Sequence, residues 1–456
     1  MNIVLLQPTD ILFFRDGRPM GAASSGQGAA WPLPNVINHA FHAALHRAQI
    51  EGVHKHVPGR SSSHRDYSDA NRNTNGRLFG ALTTLGPFPV CTDGAAPTWF
   101  FPRPADAGQD GIATLHPIQK TGHSSLPSPL MNAVGNTRPP SKEFPNPWWS
   151  EGAWNAYLGS AQRNAIAARS FYKGNNEFAD TEHNYGIGIN PETGSVVDGQ
   201  FYSAHYLRLR PGWGLGAITD AWDKDLKADL VEKLLNGHGR EIITGGQLRV
   251  CTATLVERES DSARLPLPVA PEIRGTRVKW ILLSPAIWPE IEAGTNKAGN
   301  PIHSHSGGWL PNWIAEEDQL FEGEHVEKGS VLLLDGPGKE KAKRKHLEAG
   351  KTIKAKLVAA ITSKAIPVTG YALPNSADPD RAEGGAKPTH LAVPAGAVYY
   401  FEAATESDAQ ALAAALNWHG ASPGTEVKNR RSTLMGEKGF GLGVCGMWNF
   451  QPTNAS

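Results

Sequence analysis

A strand, a helix and a strand follow one another at both ends of this chain, and this pattern limits its possible folds most strongly. At the N-terminus, "NIVLL" predicts a strand and "PNVINHAFHAALHRAQ" an amphipathic helix. Near the C-terminus, "AVYYF" predicts a strand, and a capping box of Thr405 and Asp408 predicts a helix to Leu416. A terminal strand follows in "FGLGVCGMW". We therefore expect an α+β fold of two units, each a sheet with helices on one face.

The helices are predicted from the spacing of apolar residues. In the first helix these residues recur on one face at Val36, Ile37, Ala40, Phe41, Ala44 and Leu45. Asn35 is the expected N-cap. In "AWDKDLKADLVEKLLNGHG" the same period at Trp222, Leu226, Leu230 and Leu234 predicts a helix that stops at Gly237. Strands are predicted in "ALTTLGPFPV", "TWFFP", "GGQLRVCTATLV" and "VKWILL".

Length and composition indicate two domains with many loops. At 456 residues the chain exceeds one typical core, and we divide it into residues 1–240 and 241–456. The 49 glycines and 34 prolines favour a loop-rich protein over a helical bundle. A polar insertion is expected at 54–76, and a proline-rich stretch with little periodicity covers 117–147.

The balance of charge restricts the kind of partner. Lys and Arg number 44 and Asp and Glu number 44, so the formal net charge is zero. A non-specific nucleic-acid binder needs a broadly basic face, so any polyanion site must be local. The densest basic run, 338–356, holds eight Lys/Arg against two Glu. We interpret it as a solvated helix or loop in preference to a phosphate-contacting surface.

Three cysteines, Cys91, Cys251 and Cys445, provide neither a disulfide framework nor zinc-ribbon spacing. The N-terminal residues contain no secretion signal, and no apolar run reaches membrane-spanning length. These features predict a cytoplasmic protein with no membrane partner. No cofactor or metal site is predicted.

The glycine-rich terminal loop "KNRRSTLMGEKGFGLGVCGMW" is a candidate anion site. Its basic and backbone candidates are Lys428, Arg430, Arg431, Lys438, Gly439, Gly441 and Gly443. Phe440 offers a flat face for a base. The loop contains a literal GxGxxG, but the chain leaves no room for the βαβ unit that a dinucleotide site requires. A glycine-lined packing site with solvated cations explains the same residues equally well.

A second candidate is "FFRDGRPMG", residues 13–21. Asp-Gly favours a tight hairpin turn, which would bring Arg15 and Arg18 close together. Two guanidinium groups there suit a bidentate contact with phosphate. A surface hairpin with solvated arginines remains the alternative.

Several segments together resemble a known family. "DILFFRDGRPMG", "WPLPNVINHAFHAAL", "LLSPAIW", "GGWLPNW", "VPAGAVYYF" and "GEKGFGLGVCG" resemble the third subunit of the type III-B CRISPR Cmr effector complex. That family lies in the repeat-associated mysterious protein (RAMP) superfamily, and the resemblance runs from the first strand to the last loop.

The resemblance implies two ferredoxin-like (RRM-like) domains with long loop insertions, and a non-catalytic subunit. It also implies binding of the 5′ handle of the CRISPR RNA (crRNA), contacts with the large signalling subunit and the first backbone subunit, and only indirect contact with target RNA. Carried onto this chain, the handle-binding candidates are Arg15, Arg18, Lys438 and the glycine loop from Gly439 to Gly441.

Two other functions stay open. His39, His42 and His46 lie on or near the polar face of the first helix, where His39 or His42 could act as general base in a metal-independent ribonuclease. The i, i+4 pair His42 and His46 also suits a metal, although no third ligand is evident. A purely structural bridge is the other alternative, since "GGWLPNW" and "NPWWSEGAW" would be interface anchors if exposed and core if buried.

Overall fold

The fold is given by a computed structural model. It describes residues 1–15, 25–26, 31–48, 82–108, 113–119, 125–136, 146–159, 174–223, 226–236, 239–257, 264–295, 299, 301–335, 350–372 and 385–451. The predicted insertion at 54–76, most of the basic run at 338–356, Arg18 and Gly237 lie outside these residues.

Strands predominate over helices. The helices are α1 (Pro34–Ala48), α2 (Glu151–Leu158), α3 (Asn175–Phe178), α4 (Leu230–Leu235) and α5 (Glu406–Leu416), and a 3-10 turn covers Gly436–Lys438. The strands are β1 (Asn2–Pro8), β2 (Ser25–Gly26), β3 (Thr83–Cys91), β4 (Thr98–Pro102), β5 (Leu115–Pro117), β6 (Val134–Asn136), β7 (Trp148–Ser150), β8 (Ala179–Ile189), β9 (Val196–Leu209), β10 (Trp213–Asp220), β11 (Trp222–Asp223), β12 (Ala228–Asp229), β13 (Arg240–Ile243), β14 (Val250–Leu255), β15 (Arg277–Leu282), β16 (Gly294–Thr295), β17 (Pro301–Ile302), β18 (Gln319–Phe321), β19 (Glu324–Val326), β20 (Ala355–Ile361), β21 (Ile366–Val368), β22 (Tyr371–Ala372), β23 (Gly385–Ala386), β24 (His390–Ala392), β25 (Val398–Ala403) and β26 (Gly443–Met447).

The first large sheet has seven strands in the order β13-β14-β1-β10-β3-β4-β7. Strand β1 is antiparallel to both neighbours, with Leu5 opposite Gly216 in β10 and Thr254 in β14. Helices α1 and α4 cover one face through an apolar cluster that contains Phe41, Leu234 and Leu215. The apolar spacing that predicted α1 therefore does face the core.

The second large sheet has four strands in the order β20-β25-β15-β26. Its central strand β15 is antiparallel to β25 and β26, with Trp280 opposite Tyr399 and Cys445. Strands β15 and β25 are buried almost throughout, which requires that both faces of the sheet be covered. Helix α5 covers one face, and the other face packs against the first sheet. The whole is a mixed α/β fold with mostly antiparallel strands.

The two sheets share one apolar cluster, so they are packed directly on each other. Phe88 and Trp99 of the first sheet belong to the same cluster as Ile281, Val398 and Val444 of the second. Trp149 and Trp154 of the "NPWWSEGAW" segment are fully buried in it. These tryptophans are therefore core residues and not exposed interface anchors.

A buried ion pair crosses this junction. Lys279 Nζ in β15 lies 2.7 Å from Asp106 Oδ2, which follows β4, and the two side chains are 6% and 1% exposed. Tyr157 of α2 donates to Asp106 Oδ1 at 2.5 Å, and Tyr400 of β25 donates to Oδ2 at 3.3 Å. Burial is the main cause that raises the pKa of the Tyr157 hydroxyl, so it stays a proton donor.

Most predicted elements are confirmed, with two corrections. Helix α1 begins at Pro34, so Asn35 lies inside the first turn and is not the N-cap. The helix predicted from Trp222 is shorter: β11 and β12 form a small hairpin, and only α4 is helical. Asp229 explains the change, because its carboxylate accepts from the amides of Val231 and Ala221 and starts the helix late.

Thr405 is confirmed as the N-cap of α5, since its hydroxyl accepts a hydrogen bond from the Asp408 amide at 3.1 Å. The Asp408 carboxylate accepts from the Thr405 hydroxyl and from Lys354 N, so the second bond of a capping box is replaced. Among the described residues, no helix is long and apolar enough to cross a membrane.

Candidate functional site

The terminal glycine loop lies at the junction of the two large sheets, and its glycines are needed for conformation and close packing. Gly439 and Gly441 adopt φ of +95° and +76°, which side chains rarely tolerate. A Cβ on Gly439 would lie 2.8 Å from the carbonyl oxygen of Thr84 in β3. The loop from the second sheet is therefore seated directly on the backbone of the first.

The other loop glycines pack against the second sheet. A Cβ on Gly441 would lie 2.1 Å from the amide nitrogen of Ser432, and one on Gly443 would lie 2.2 Å from Trp280 Nε1. Ser432 fixes the loop further, because its hydroxyl accepts from Ile287 N at 2.8 Å and donates to Leu434 O at 2.6 Å. Ser432 was not predicted from the sequence, since nothing local marks its distant partner Ile287. At these glycines the packing interpretation is confirmed.

Lys438 ends the 3-10 turn and extends to helix α1. Its Nζ donates to His39 Nε2 at 3.1 Å, and His39 itself is exposed. Because a lysine ammonium can only donate, Nε2 must carry no proton in this arrangement. The contact fixes the cation at a half-buried position beside the start of α1.

Arg430 is a half-buried cation beside the same loop, with part of its guanidinium group shielded from solvent. Its Nε and Nη2 atoms are buried and have no hydrogen-bond partner among the described residues. Burial lowers its pKa to about 10, while the charges of Asp220 and Glu437 act in the opposite direction. That pKa still lies far above neutral pH, so the guanidinium stays charged. It adds a positive charge beside the loop.

Arg431 and Lys428 have other local partners. Arg431 Nε donates to Ala415 O near the end of α5 at 2.7 Å, and its carbonyl accepts from Trp288 Nε1 at 2.7 Å. Lys428 is exposed and forms an ion pair with Glu426. Such surface pairs contribute little free energy, so Lys428 can exchange this partner for an anion.

Phe440 is a correction to the sequence analysis. Its ring is fully buried in a small cluster with Ile287, Val368 and Ala392. A base can stack only on an exposed ring, so the prediction of a stacking face at Phe440 is wrong. The ring instead anchors the loop to strands β21 and β24.

Arg15 is exposed at the end of a segment that is otherwise well anchored. Phe13 accepts from Gly246 N at 2.8 Å, and Phe14 is buried in the cluster beneath α1. Arg18 and the turn between the two arginines lie outside the described residues. The side chain of Arg15 is thus available for a ligand at the edge of the first sheet.

The histidines of α1 differ in their surroundings. His39 contacts Lys438, whereas the side chain of His46 lies outside the part of the chain that is described. Within the described ranges, no group of three or more His, Cys, Asp or Glu is arranged to hold a metal.

Comparison with known proteins gives the family. The family model for CRISPR-associated protein (Cas_Cmr3) matches residues 4–448. A structure of the type III-B Cmr-beta complex bound to cognate target RNA contains a chain with 12% identity and a TM-score of 0.40, covering 87% of this chain and 86% of that chain. A Csm3-Csm4 subcomplex of the type III-A interference complex contains one with 10% identity and a TM-score of 0.37, covering 89% and 93%. No curated protein matches. Because the family model spans nearly the whole chain, this protein belongs to the Cas_Cmr3 family of CRISPR-associated proteins.

Proposed function

We propose that this chain is a non-catalytic subunit of a type III-B CRISPR ribonucleoprotein, and that it binds the 5′ handle of the crRNA. Arg15, Arg18 and Lys438 would contact phosphates, together with Lys428. The amides of Gly439 and Gly441 donate to Gly436 O and Pro285 O, so these glycines would shape the loop that carries Lys438. Arg430 would contribute through its charge. Arg431 would contribute through the hydrogen bonds that hold the loop backbone in place. Target RNA would be contacted only indirectly.

The position of Lys438 carries this proposal. Its ammonium group lies at the junction of both large sheets, 3.1 Å from His39 Nε2, on a turn held by Gly439 against Thr84. The half-buried Arg430 adds a second positive charge beside the same turn. Local cations on a rigid backbone bind phosphate well even in a chain of zero net charge.

We propose further that each large sheet is a ferredoxin-like unit. The first sheet contains the order β14-β1-β10-β3, and the second has β26-β15-β25-β20. Both orders correspond to the fourth, first, third and second strands of a unit in chain order. The boundary would then follow Leu255, because β13 and β14 belong to the first sheet although they begin at or after residue 240. Sheets of this kind bind single-stranded RNA through their side chains and neighbouring loops.

The test is binding of the purified full chain, with its co-expressed partners, to crRNA with an intact or scrambled 5′ handle. Lys438→Glu and Arg15→Glu are compared with Lys364→Glu, which changes an exposed lysine in the turn after β20. Loss of one charge-assisted contact should weaken handle binding by about 10- to 100-fold. It should also lower the slope of log K against log salt by about 0.7. Equal binding by all three variants contradicts the proposal.

The nuclease alternative has one supporting observation, the contact between His39 and Lys438 at this same junction. A general base beside a cation is an arrangement that RNA cleavage can use. The bound RNA is therefore checked for cleavage without metal, and His39→Ala is included. Cutting that disappears in His39→Ala would replace the non-catalytic role.

The second part of the proposal is a bridging role in the cytoplasm, between the large signalling subunit and the first backbone subunit. The three cysteines are free, as a reducing compartment requires. If RNA contacts are incidental and the chain is only a bridge, Arg15→Glu will assemble normally and load guide RNA normally. If the handle site is real, assembly will survive while loading fails.

A further inference from the structure

A tight turn joins β13 to β14 at the edge of the first sheet. The hairpin is closed by a hydrogen bond from Thr244 N to Arg249 O at 2.8 Å. The two residues at its tip, Gln247 and Leu248, have φ of +55° and +53°. A turn with positive φ at both central residues favours asparagine and glycine, because most other side chains cost free energy in this conformation. Leucine at the tip therefore makes the turn less stable than glycine would.

The side chain of Leu248 gains little from the fold to offset this cost. It is 72% exposed, the highest value for a large apolar side chain in the described part of the chain. A single exposed leucine is ordinary on a relaxed backbone, but strained backbone positions cluster at functional sites. The combination indicates that Leu248 makes a contact outside this chain.

The rest of the turn is held in place, so its tip is presented in a fixed position. The Tyr206 hydroxyl donates to Gln247 Oε1 at 2.8 Å, and the Arg249 guanidinium lies over the Tyr206 ring, 5.2 Å from its centroid. Gly246 N donates to Phe13 O at 2.8 Å, which joins the turn to the N-terminal segment. A fixed tip loses little conformational entropy when a ligand covers it.

The charges near the tip decide which class of ligand fits. Arg15 ends the N-terminal segment to which the turn is bonded. Arg249 directly follows Leu248, and its Nη1 lies 3.8 Å from Asp10 Oδ2. That distance is longer than a hydrogen bond, and Asp10 is also paired with Arg208 at 2.9 Å. An apolar tip beside cations suits RNA, because the faces of its bases are apolar and its phosphates are anionic.

We infer that Leu248 packs against the face of a base of the bound crRNA, beside the phosphate that Arg15 would hold. This step rests on the proposed function and adds to it a contact with a base, for which the buried ring of Phe440 is not available. Every base has a face, so such a contact fixes the position of the RNA and not its sequence.

The experiment measures three properties of the full chain: its Tm, its affinity for crRNA, and its affinity for a subcomplex of the remaining Cmr subunits without RNA. Leu248→Gly removes the side chain and the strain together. Leu248→Met keeps a long apolar side chain at the same φ. Glu322→Gly is the matched control, because Glu322 is an exposed residue with φ of +49° in the turn of the separate β18–β19 hairpin.

Packing on RNA predicts a gain in stability together with a loss of binding. Leu248→Gly should raise Tm by about 2–4 °C, because the strain is relieved. It should weaken crRNA binding about tenfold, because most of one leucine side chain is no longer buried by RNA. The slope of log K against log salt should stay unchanged, since no charge is lost. Leu248→Met should bind crRNA like wild type, and Glu322→Gly should raise Tm with crRNA affinity unchanged.

Four outcomes overturn the inference. If Leu248→Gly binds crRNA like wild type while Arg15→Glu binds it more weakly, the leucine contact is wrong and the handle proposal stands. If both variants and Lys438→Glu bind like wild type, the two proposals fail together. If Leu248→Gly loses affinity for the subcomplex but not for crRNA, the occupant is protein. If Leu248→Gly lowers Tm, leucine stabilises the turn and is not kept for a ligand.

Discussion

The buried pair of Lys279 and Asp106 should be the most sensitive point of the junction between the two sheets. At 2.7 Å, and with an effective dielectric constant of about 20, their attraction is about 6 kcal/mol before desolvation is subtracted. Removal of one partner leaves an uncompensated buried charge, which typically costs about 3–5 kcal/mol. We therefore expect Lys279→Met to lower the free energy of unfolding by that amount.

Asp106→Asn provides the control, because the asparagine oxygen can still accept from the Tyr157 hydroxyl, while its NH2 group can donate to the Tyr400 hydroxyl, which then donates to Leu115 O. In the double variant Lys279→Met/Asp106→Asn neither charge is buried, and both tyrosine hydroxyls keep a hydrogen-bond partner. Replacement of a whole buried pair is often close to neutral. The double variant should therefore be more stable than Lys279→Met alone and lie within about 2 kcal/mol of wild type.

Thermal unfolding followed by intrinsic tryptophan fluorescence measures the effect. For a domain of 150–250 residues, about 2–4 °C per kcal/mol is expected, so Lys279→Met should lower Tm by roughly 10 °C. If Lys279→Met melts like wild type, the pair does not hold the junction. If the double variant is less stable than Lys279→Met, uncompensated charge is not the reason for the loss.

Three other substitutions test the loop and the core by thermal or urea unfolding. Gly441→Ala should lower the free energy of unfolding by about 2 kcal/mol or more, because Gly441 has a φ of +76° and its Cβ would lie 2.1 Å from Ser432 N. Gly436→Ala is the control: its Cβ would meet nothing closer than 3.7 Å, so we expect a change of at most about 1 kcal/mol. Phe440→Ala should cost about 3–5 kcal/mol, while Phe440→Leu should keep wild-type RNA affinity if the ring only packs. Burial lowers the pKa of His419 from 6.5 to about 4 in the folded protein. As pH falls below 6.5, the imidazole therefore takes up a proton in the unfolded chain but not in the folded one. The free energy of unfolding should decrease between pH 6.5 and pH 4. The loss is about 3 kcal/mol and should be absent in His419→Gln; identical pH dependence in the two proteins contradicts it.

The elements that sequence reasoning predicted well are those with local causes. Helix α5 follows from the N-cap at Thr405, and α1 follows from apolar spacing within 15 residues. The helix predicted from Trp222 was too long, because the carboxylates of Asp223 and Asp229 bind nearby amides and favour a turn before α4.

The candidate site was predicted less well, because its partners come from distant parts of the chain. Phe440 was expected to be exposed, yet Ile287 and Ala392 bury it. Arg430 follows Lys428 closely in sequence, but only Lys428 is exposed, and Asp220 of the first sheet lies near the buried guanidinium. Glycines and cations in one segment indicate that a site is possible there; which of them face a ligand depends on tertiary packing.

The candidate handle site depends on the junction between the sheets. Gly439 rests on Thr84 of the first sheet, and Lys438 contacts His39 of α1, while the loop itself belongs to the second sheet. Neither half alone can hold Lys438 where it is. Because Lys279 and Asp106 join the same two halves, loss of that pair should weaken the proposed handle binding without altering any residue of the proposed site. The proposed site would therefore be a property of the assembled junction, where local cations and not the zero net charge of the chain would set the potential.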